Sequence, residues 1–413
     1  MNDIMGFLDG TYDDDNLLEL QEIVPYDGTN AQGRGSERHL SAVLPAISAS
    51  LGVPVATAIH PHPEDIREKF GMPRAQSIIV VLIDGLGFWN MVERKGHAPY
   101  LRALLSHSGN DQPISTCFPS TTVSALSVFG TGTCPGLTAM TGYTQLNPDN
   151  GRLSQMIKFT DGLVPEDVQT QPTVFEGLSA QGVRVTTCGL GQFSKSALTR
   201  AALRGTRYIS GRNAAQHILA AAKASYEPGL TYLYIRDADK MGHQYGWNDE
   251  HWIGTFERVD AQLRTLASKA APGTLIVITA DHGMINSNPE HRIDIAAHEH
   301  LQKGVHLIGG EPRAVSLYAH ADEDPEDIAH RWSEFLGEQA RVYTQEQAVH
   351  AGLYGPVSEH TQRYLADVIV MAAEDTTIVD SRTQSEVATH LPSVHGSLTK
   401  AEIDIPLFLD VVE

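Results

Sequence analysis

Cysteine and basic residues are both scarce in this chain. Three cysteines are an odd and small number for 413 residues, which argues against a disulfide framework and favours small buried side chains. Thirty Lys and Arg residues accompany fifty Asp and Glu residues, so the formal net charge is −20. Such a chain repels nucleic acids and anionic membranes at long range, so we expect neither as a partner. A small anionic substrate remains possible because a bound metal ion can invert the local field.

Long apolar runs are missing too. No stretch reaches the roughly 18 apolar residues that a membrane-spanning helix needs, so the sequence predicts no such helix. The acidic residues 1–15 lack a basic segment followed by an apolar run, so we predict no signal peptide. With 41% apolar and 19% charged residues, the chain can bury a sizeable core. We therefore expect a cytoplasmic protein, whose oligomeric state the sequence leaves open.

Four short apolar segments have the pattern of strands buried on both faces. They are residues 78–83, 184–188, 230–235 and 274–279. Segments with helical patterns lie outside and between them, for example residues 41–51 and 255–269. Strands that alternate with helices predict an α/β fold with a mainly parallel central sheet and helices on both faces.

The chain also divides by composition. Residues 1–35 are rich in Asp, Gly and Asn, which predicts an irregular lead-in, and residues 36–413 would form the main domain. Alternating apolar residues at 315–319 and 367–371 indicate further strands. We predict that a segment of about residues 286–380 is a smaller α/β cap inserted into the main domain.

Carboxylates and histidines follow three of the predicted strands. Because ligands bind outside the carboxyl ends of the strands in open α/β sheets, we expect these side chains to converge. The residues concerned are Asp84, Asp237, Asp239, His243, Asp281 and His282. The alternative for Asp84 and Asp281 is a role in capping the helix that follows.

Asp239 and His243 form the most suggestive pair among these residues. They lie four positions apart with Gly242 between them, so both can face one ion from a loop or a helical turn. A carboxylate oxygen and an imidazole nitrogen suit zinc. Asp237 is the rival carboxylate, although it lies two positions away and would point elsewhere in an alternating backbone. His395, in a late His-Gly pair, is a further candidate ligand.

Three hydroxyl residues, Ser120 to Thr122, precede an apolar run and are all candidate helix N-caps. A hydroxyl at a helix N-terminus also lies where backbone N–H groups bind phosphate. Threonine is a poor nucleophile at its own pKa and needs a base or a metal to lower that pKa. A dication held by Asp84, Asp281 and His282 would supply this activation.

Together these motifs resemble the alkaline phosphatase superfamily and, within it, the type I phosphodiesterase/nucleotide pyrophosphatase family. Five elements occur in the family's order: a strand into Asp-Gly, Pro-x-x-Thr with a later Thr-Gly, Asp-x-x-Gly-His, a strand into Asp-His-Gly, and a late His-Gly. They span Asp84 to His395. The resemblance implies an alkaline-phosphatase-like catalytic domain that hydrolyses a small anionic phosphoester. The specific activity that it implies is that of a phosphodiesterase or nucleotide pyrophosphatase.

The resemblance also implies roles for individual residues. The family's aromatic-Pro-x-x-Thr pattern matches Phe118 to Thr122, and Thr131-Gly132 follow at the family's spacing. This spacing selects Thr122 over Thr121 as the nucleophile that would form a phospho-threonine intermediate. Two zinc ions are implied. One would be held by Asp84, Asp281, His282 and the Thr122 oxygen, and the other by Asp239, His243 and His395.

Two departures concern the substrate. Relatives that cleave nucleotide diesters follow the nucleophile with Phe-Pro-Asn and place an Asn about twenty residues later that holds the phosphate. Here Val123 follows, and the later region contains Tyr143, so Tyr143 or a backbone N–H is the candidate replacement. No arginine lies near Thr122 in sequence to bind a dianionic monoester, which favours diesters. The alternatives are a phosphomonoesterase or phosphonate hydrolase of the same superfamily, and an inactive, metal-stabilised binding protein.

Overall fold

A six-stranded sheet forms the centre of the protein, whose computed structural model describes residues 14–107 and 109–413. The strands are β1 Ser77–Ile83, β2 Ile114–Ser115, β3 Thr144–Asn147, β4 Arg152–Gln155, β5 Val185–Leu190, β6 Arg207–Gly211, β7 Gly229–Ile235, β8 Leu275–Ala280, β9 Ile285–Asn286, β10 Arg292–Asp294, β11 Val305–Glu311, β12 Ala314–Ala319, β13 Ala340–Thr344, β14 Val368–Ala372, β15 Thr377–Val379, β16 Ser393–Val394, β17 Asp404–Ile405 and β18 Leu407–Val411. The α-helices are Leu40–Ser50, Pro63–Lys69, Phe88–Glu93, Pro99–Leu105, Thr122–Thr131, Pro135–Thr138, Pro165–Val168, Val174–Ala180, Ala197–Ala202, Ala214–Ala224, Asp237–Tyr245, Glu250–Lys269, Glu299–Gln302, Pro325–Leu336, Gln345–His350, Glu359–Gln362, Glu386–Thr389 and Lys400–Ile403.

The central sheet has the order β18-β8-β1-β7-β5-β6. All neighbouring pairs are parallel except β18, which runs antiparallel to β8 at one edge. Strand β1 lies in the middle, and each of its residues is buried, as its unbroken apolar sequence predicts. The predicted α/β class and mainly parallel sheet are therefore confirmed.

The register of the three middle strands determines where the site forms. Ile83, the last residue of β1, pairs with Ile235 at the end of β7 and with Ala280 at the end of β8. The three strands thus end at one level. The residues that follow them must lie side by side at the same edge of the sheet.

The helices between the strands follow from their sequence periodicity. In Glu250–Lys269, the buried residues Trp252, Phe256, Val259 and Leu263 recur every three to four positions and form one apolar face. The Asp249 side chain accepts a hydrogen bond from the His251 N–H and caps the helix N-terminus. The helices predicted at 41–51 and 255–269 are confirmed.

Two strands of the central sheet were not predicted from the sequence. Strand β6 is an edge strand of mostly exposed residues and lacks an apolar run. Strand β18 is the antiparallel edge near the end of the chain. Edge strands carry the weakest apolar signal because one side or face meets solvent.

A second, four-stranded sheet lies within residues 286–380. Its order is β11-β12-β14-β13, and every pair is antiparallel. Helix Pro325–Leu336 packs against β13 and β14 through a separate apolar cluster that includes Trp332. The strands predicted at 315–319 and 367–371 are present as β12 and β14, while the boundaries of a cap and of the lead-in stay predictions.

The lead-in prediction falls partly outside the described residues, since residues 1–13 are not described. Within residues 14–35, a short 3-10 helix at Asp14–Leu17 precedes an isolated bridge between Leu20 and Thr399. The Gln21 N–H donates to the Leu398 carbonyl oxygen at 2.9 Å. Among the residues that the structure describes, no helix is both long and apolar enough to span a bilayer.

Candidate active site

The carboxyl ends of β1, β7 and β8 bring the predicted site residues together. Asp84 directly follows β1, Asp281 directly follows β8, and the helix that carries Asp239 begins two residues after β7. The Asp239 N–H donates to the Asp84 carbonyl oxygen at 3.0 Å. Gly85 permits this approach, because its φ is +70° and a Cβ atom there would lie 2.8 Å from the Asp239 Cα.

Thr122 lies at the centre of one group of these residues. It is the first residue of helix Thr122–Thr131 and is partly exposed. Its hydroxyl donates to Asp84 Oδ1 at 3.3 Å, and its Oγ1 also lies 3.3 Å from His282 Nε2. The Tyr234 hydroxyl donates to the other oxygen of Asp84. Asp84 thus accepts hydrogen bonds from two hydroxyls and does not cap a helix.

Asp281 is held in place by backbone groups. Its Oδ1 accepts hydrogen bonds from the N–H groups of Gly85 and His282, each at 3.0 Å. Its Oδ2 is buried, lacks a hydrogen-bond donor among the described residues, and lies 3.6 Å from His282 Nε2. No helix begins at this turn, so the capping alternative for Asp281 does not apply.

Asp239, His243 and His395 form the second group. Asp239 Oδ1 lies 3.2 Å from His243 Nε2 and 3.7 Å from His395 Nε2. Asp239 and His243 lie one turn apart on helix Asp237–Tyr245, so they face the same side. Asp237 is the first residue of that helix and lies in neither group. It lines a separate cavity with His217 and other residues.

The two groups adjoin each other. The rings of His282 and His395 stack with their centroids 3.7 Å apart. Potential ligand atoms of Asp239, His243 and His395 lie within 4.8 Å of one another, and so do those of Asp84, Asp239 and His282. Asp239 therefore lies between the groups, and these residues could hold metal.

All three histidines have the same orientation relative to the backbone. Their Nδ1 atoms lie 2.8 to 3.0 Å from carbonyl oxygens of Gly283, Ser393 and Ser120, for His282, His243 and His395 respectively. A carbonyl oxygen only accepts, so each Nδ1 carries the proton. In the neutral ring, each Nε2 is then the atom with a lone pair, and it faces the carboxylates. Metal-ligating histidines commonly have this arrangement.

The concentration of charge perturbs the pKa values of the cluster. Burial and the neighbouring Asp281 and Asp239 carboxylates raise the pKa of Asp84 well above its usual range. Burial alone would lower the pKa of His243, but the adjacent Asp239 raises that pKa to about 9. Burial and the nearby His282 and His243 hold the pKa of His395 well below its ordinary value. Neighbouring groups in the cluster thus have pKa values shifted in opposite directions, as is common where charged groups are concentrated at a functional site.

The segment before Thr122 is tied to the segment that carries His395. The Ser120 hydroxyl donates to the Ser397 carbonyl oxygen at 2.8 Å, and the Ser120 N–H donates to the Gly396 carbonyl oxygen at 3.1 Å. The pair Thr131-Gly132, whose spacing from Thr122 matched the family pattern, lies at the end of helix Thr122–Thr131. Gly132 follows the helix with a left-handed φ of 63°. Its role in the structure is to terminate that helix.

Two residues near the cluster were missed by sequence reasoning, and one prediction remains open. Tyr234 carried no signal beyond its place on β7. Glu311 comes from the second sheet, so nothing local linked it to the site. Tyr143, the predicted phosphate donor, is 36% exposed, and burial and Glu311 raise its pKa. Its contact with substrate stays a prediction.

Comparison with known proteins identifies the family. Residues 78–397 match the family model described as type I phosphodiesterase/nucleotide pyrophosphatase. No curated protein matched the chain. Similar solved structures include murine ectonucleotide pyrophosphatase/phosphodiesterase 5, an inactive form in complex with AMP, with 13% identity, a TM-score of 0.65 and coverage of 81% of this chain and 87% of that chain.

A second similar structure is phosphonoacetate hydrolase from Sinorhizobium meliloti in complex with phosphonoformate, with 19% identity and a TM-score of 0.62. The match covers 82% of this chain and 90% of that chain. At such identities the two structures show the fold. The family model shows more, and it confirms what the motifs predicted: the chain belongs to the type I phosphodiesterase/nucleotide pyrophosphatase family of the alkaline phosphatase superfamily and is a hydrolase acting on phosphoester bonds.

Proposed function

We propose that the protein is a phosphodiesterase or nucleotide pyrophosphatase that uses Thr122 as its nucleophile and two zinc ions as cofactors. The observation that carries this proposal is the position of the Thr122 hydroxyl. It lies 3.3 Å from both Asp84 Oδ1 and His282 Nε2 at the N-terminus of a helix. An activating group and a set of phosphate-binding N–H groups therefore meet at one hydroxyl.

The donor set fits two divalent cations. Asp84, Asp281 and His282 with the Thr122 oxygen would hold one ion, and Asp239, His243 and His395 the other. Buried Asp239 Oδ1 and Asp281 Oδ2 have no hydrogen-bond donor among the described residues, and an ion would satisfy both. When bound, the ions supply positive charge that stabilises the attacking and departing oxygens of an in-line displacement.

The protein's own residues determine the geometry of the reaction. Asp84 and His282 orient Thr122 Oγ, which loses its proton to water and attacks phosphorus, and the bond from phosphorus to the leaving oxygen breaks on the opposite side. The first backbone N–H groups of helix Thr122–Thr131 have no acceptor within the helix, so they are available to the phosphoryl oxygens. The phosphoryl group is then bonded to Thr122, and water attacks phosphorus, breaks the bond to Thr122 Oγ and returns the hydroxyl. Two in-line displacements give net retention of configuration at phosphorus.

Charge favours a diester over a monoester. Asp84, Asp239 and Asp281 with a Thr122 alkoxide would carry four negative charges, which would balance two zinc ions. Of the arginines that follow Thr122 in sequence, Arg152 is exposed and Arg200 pairs with Glu166 at the surface. A monoanionic diester therefore leaves less negative charge to balance than a dianionic monoester, and neither of these two arginines supplies a further cation.

Hydrolysis of bis-p-nitrophenyl phosphate and of p-nitrophenyl phosphate tests this proposal. We expect zinc-dependent turnover that a chelator abolishes and that strongly favours the diester. Preference for the monoester, or for a phosphonate, would assign the chain to another activity of the superfamily. No turnover of any of these substrates by zinc-loaded protein would favour a metal-stabilised binding protein instead. The expected cytoplasmic location stays a prediction that cell fractionation can check.

A further inference from the structure

Glu311 is a buried carboxyl group that none of the motifs includes. It is the last residue of β11 and comes from the four-stranded sheet, yet it is only 7% exposed and approaches the segment that carries His395. A Cβ atom on Gly396 would lie 2.9 Å from Glu311 Cγ, so the two segments are in close contact. Gly396 has a φ of +136°, which also favours glycine there.

The groups around Glu311 belong to the nucleophile segment and the predicted phosphate-binding region. The Thr121 hydroxyl and the Tyr143 backbone N–H both lower the pKa of Glu311 through hydrogen bonding. The Thr144 hydroxyl donates to the Gly310 carbonyl oxygen at 3.0 Å, which fixes the second region against β11. Glu311 therefore lies beside the residue that precedes the nucleophile and beside the position where relatives place an Asn.

Glu311 forms no ion pair with any of the residues that the structure describes. Arg313, two residues further on, is fully buried and is engaged by both oxygens of Glu402 at 3.1 and 2.8 Å. Glu311 Oε1 is buried and has no hydrogen-bond partner among the described residues. A buried polar atom without a partner is destabilising, so it marks a place where a further group is expected.

The charged groups that face Glu311 come from several elements. Burial and the nearby Glu402 raise the pKa of Glu311 to about 8, although the Thr121 and Tyr143 hydrogen bonds and His243 lower it. Glu311 also raises the pKa of the Cys117 thiol and of Tyr143. A carboxyl group in such an environment can remain neutral near pH 7 and act as a hydrogen-bond donor.

We propose that Glu311 is a substrate-binding residue of the active site, whose carboxylic acid O–H donates a hydrogen bond to a non-bridging oxygen of the transferred phosphoryl group. It would replace the amide of the missing Asn. This inference rests on the proposed function. Its rival is an ionised Glu311 that accepts a hydrogen bond from a hydroxyl or ammonium group of the substrate.

Three variants distinguish these roles. Glu311→Gln keeps a neutral donor of the same size, and Glu311→Ala removes the donor. Glu334→Gln, at an exposed position of helix Pro325–Leu336, is the control. We expect Glu311→Ala to lower kcat/KM for bis-p-nitrophenyl phosphate by about 10- to 100-fold, as for the loss of a donor to a developing oxyanion. Glu311→Gln should stay within about threefold of the wild type. Wild-type kcat/KM should fall at alkaline pH as Glu311 ionises, and this fall should be absent in Glu311→Gln.

Binding of inorganic phosphate supplies a second measurement that needs no turnover. Phosphate should raise the Tm of the zinc-loaded wild type and of zinc-loaded Glu311→Gln. The rise in Tm should be much smaller for Glu311→Ala. The inference is wrong if Glu311→Ala matches the wild type in both measurements, or if Glu311→Gln is as impaired as Glu311→Ala. If the wild type hydrolysed no phosphoester, the proposed function would fail, while the phosphate measurement would still decide the role of Glu311.

Discussion

The two groups of residues in the active site are held in different ways. Asp84, Asp281 and His282 directly follow central strands, and their side chains are at most 7% exposed. Asp239 and His243 lie on a helix, and their side chains are 17% and 29% exposed. Thr122, the proposed nucleophile, contacts the buried group and is itself partly exposed. The helix residues Asp239 and His243 are more exposed than the strand-end residues, which suits the oxygen that leaves and the water that enters.

Removing Thr122, the proposed nucleophile, should produce the largest effect. Thr122→Ala deletes the hydroxyl that contacts Asp84 and His282, so we expect kcat to fall by about 10³-fold or more. Zinc content, measured by atomic absorption, should stay near two ions per chain because six other ligands remain. Near-normal activity in this variant, together with loss in Asp239→Asn, would contradict the covalent step.

Removing the carboxylate between the two groups should weaken the binding of the second proposed zinc ion. Asp239→Ala deletes an oxygen that lies 3.2 Å from His243 Nε2 and 3.7 Å from His395 Nε2. We expect zinc affinity at that position to fall by about 100-fold or more, since even outer-shell partners are worth 10- to 100-fold. Titration with zinc should then show one tight site. Two unchanged tight sites would mean that Asp239 is not a ligand.

Tyr234→Phe tests how strictly the buried group is positioned. The variant keeps the ring and removes the hydroxyl that donates to Asp84. We expect kcat/KM to fall by about tenfold with little change in Tm, because Asp84 keeps its ligand atoms and loses one orienting hydrogen bond. Tyr208→Phe, which removes a hydroxyl bonded to the Leu190 carbonyl oxygen away from the cluster, is the matched control. Equal activities for both variants would show that the Tyr234 hydroxyl does not contribute to activity.

The smallest expected effect concerns pH in zinc-free protein. Asp239 raises the folded-state pKa of His243 to about 9, above the unfolded value of about 6.5. This contribution to stability is complete below pH 6.5 and is lost as pH rises through 9, an amount of roughly 1–3 kcal/mol. Thermal unfolding should show a Tm that declines over this window. A His243→Gln variant should show a flatter profile, and an equally steep decline would assign the effect to another group.

Much of the fold could be predicted because it depends on local patterns. Six apolar residues before Asp84 predict a strand buried on both faces, and β1 is such a strand. The antiparallel edge β18 and the exposed strand β6 were missed, because edge strands need not be continuously apolar. The second sheet was predicted only through β12 and β14, its more apolar strands.

By itself, the sequence determined which residues can do chemistry. A carboxylate directly after a buried strand must reach the carboxyl edge of the sheet, so Asp84 and Asp281 were predictable from a few residues around each. Tertiary structure decided the rest. The helix after β7 placed Asp239 in the cluster and Asp237 outside it, and long-range packing brought the Tyr234 hydroxyl to Asp84 and Glu311 to Thr121. Contacts between residues so distant in sequence depend on how strands and sheets pack, and local periodicity carries no record of that packing.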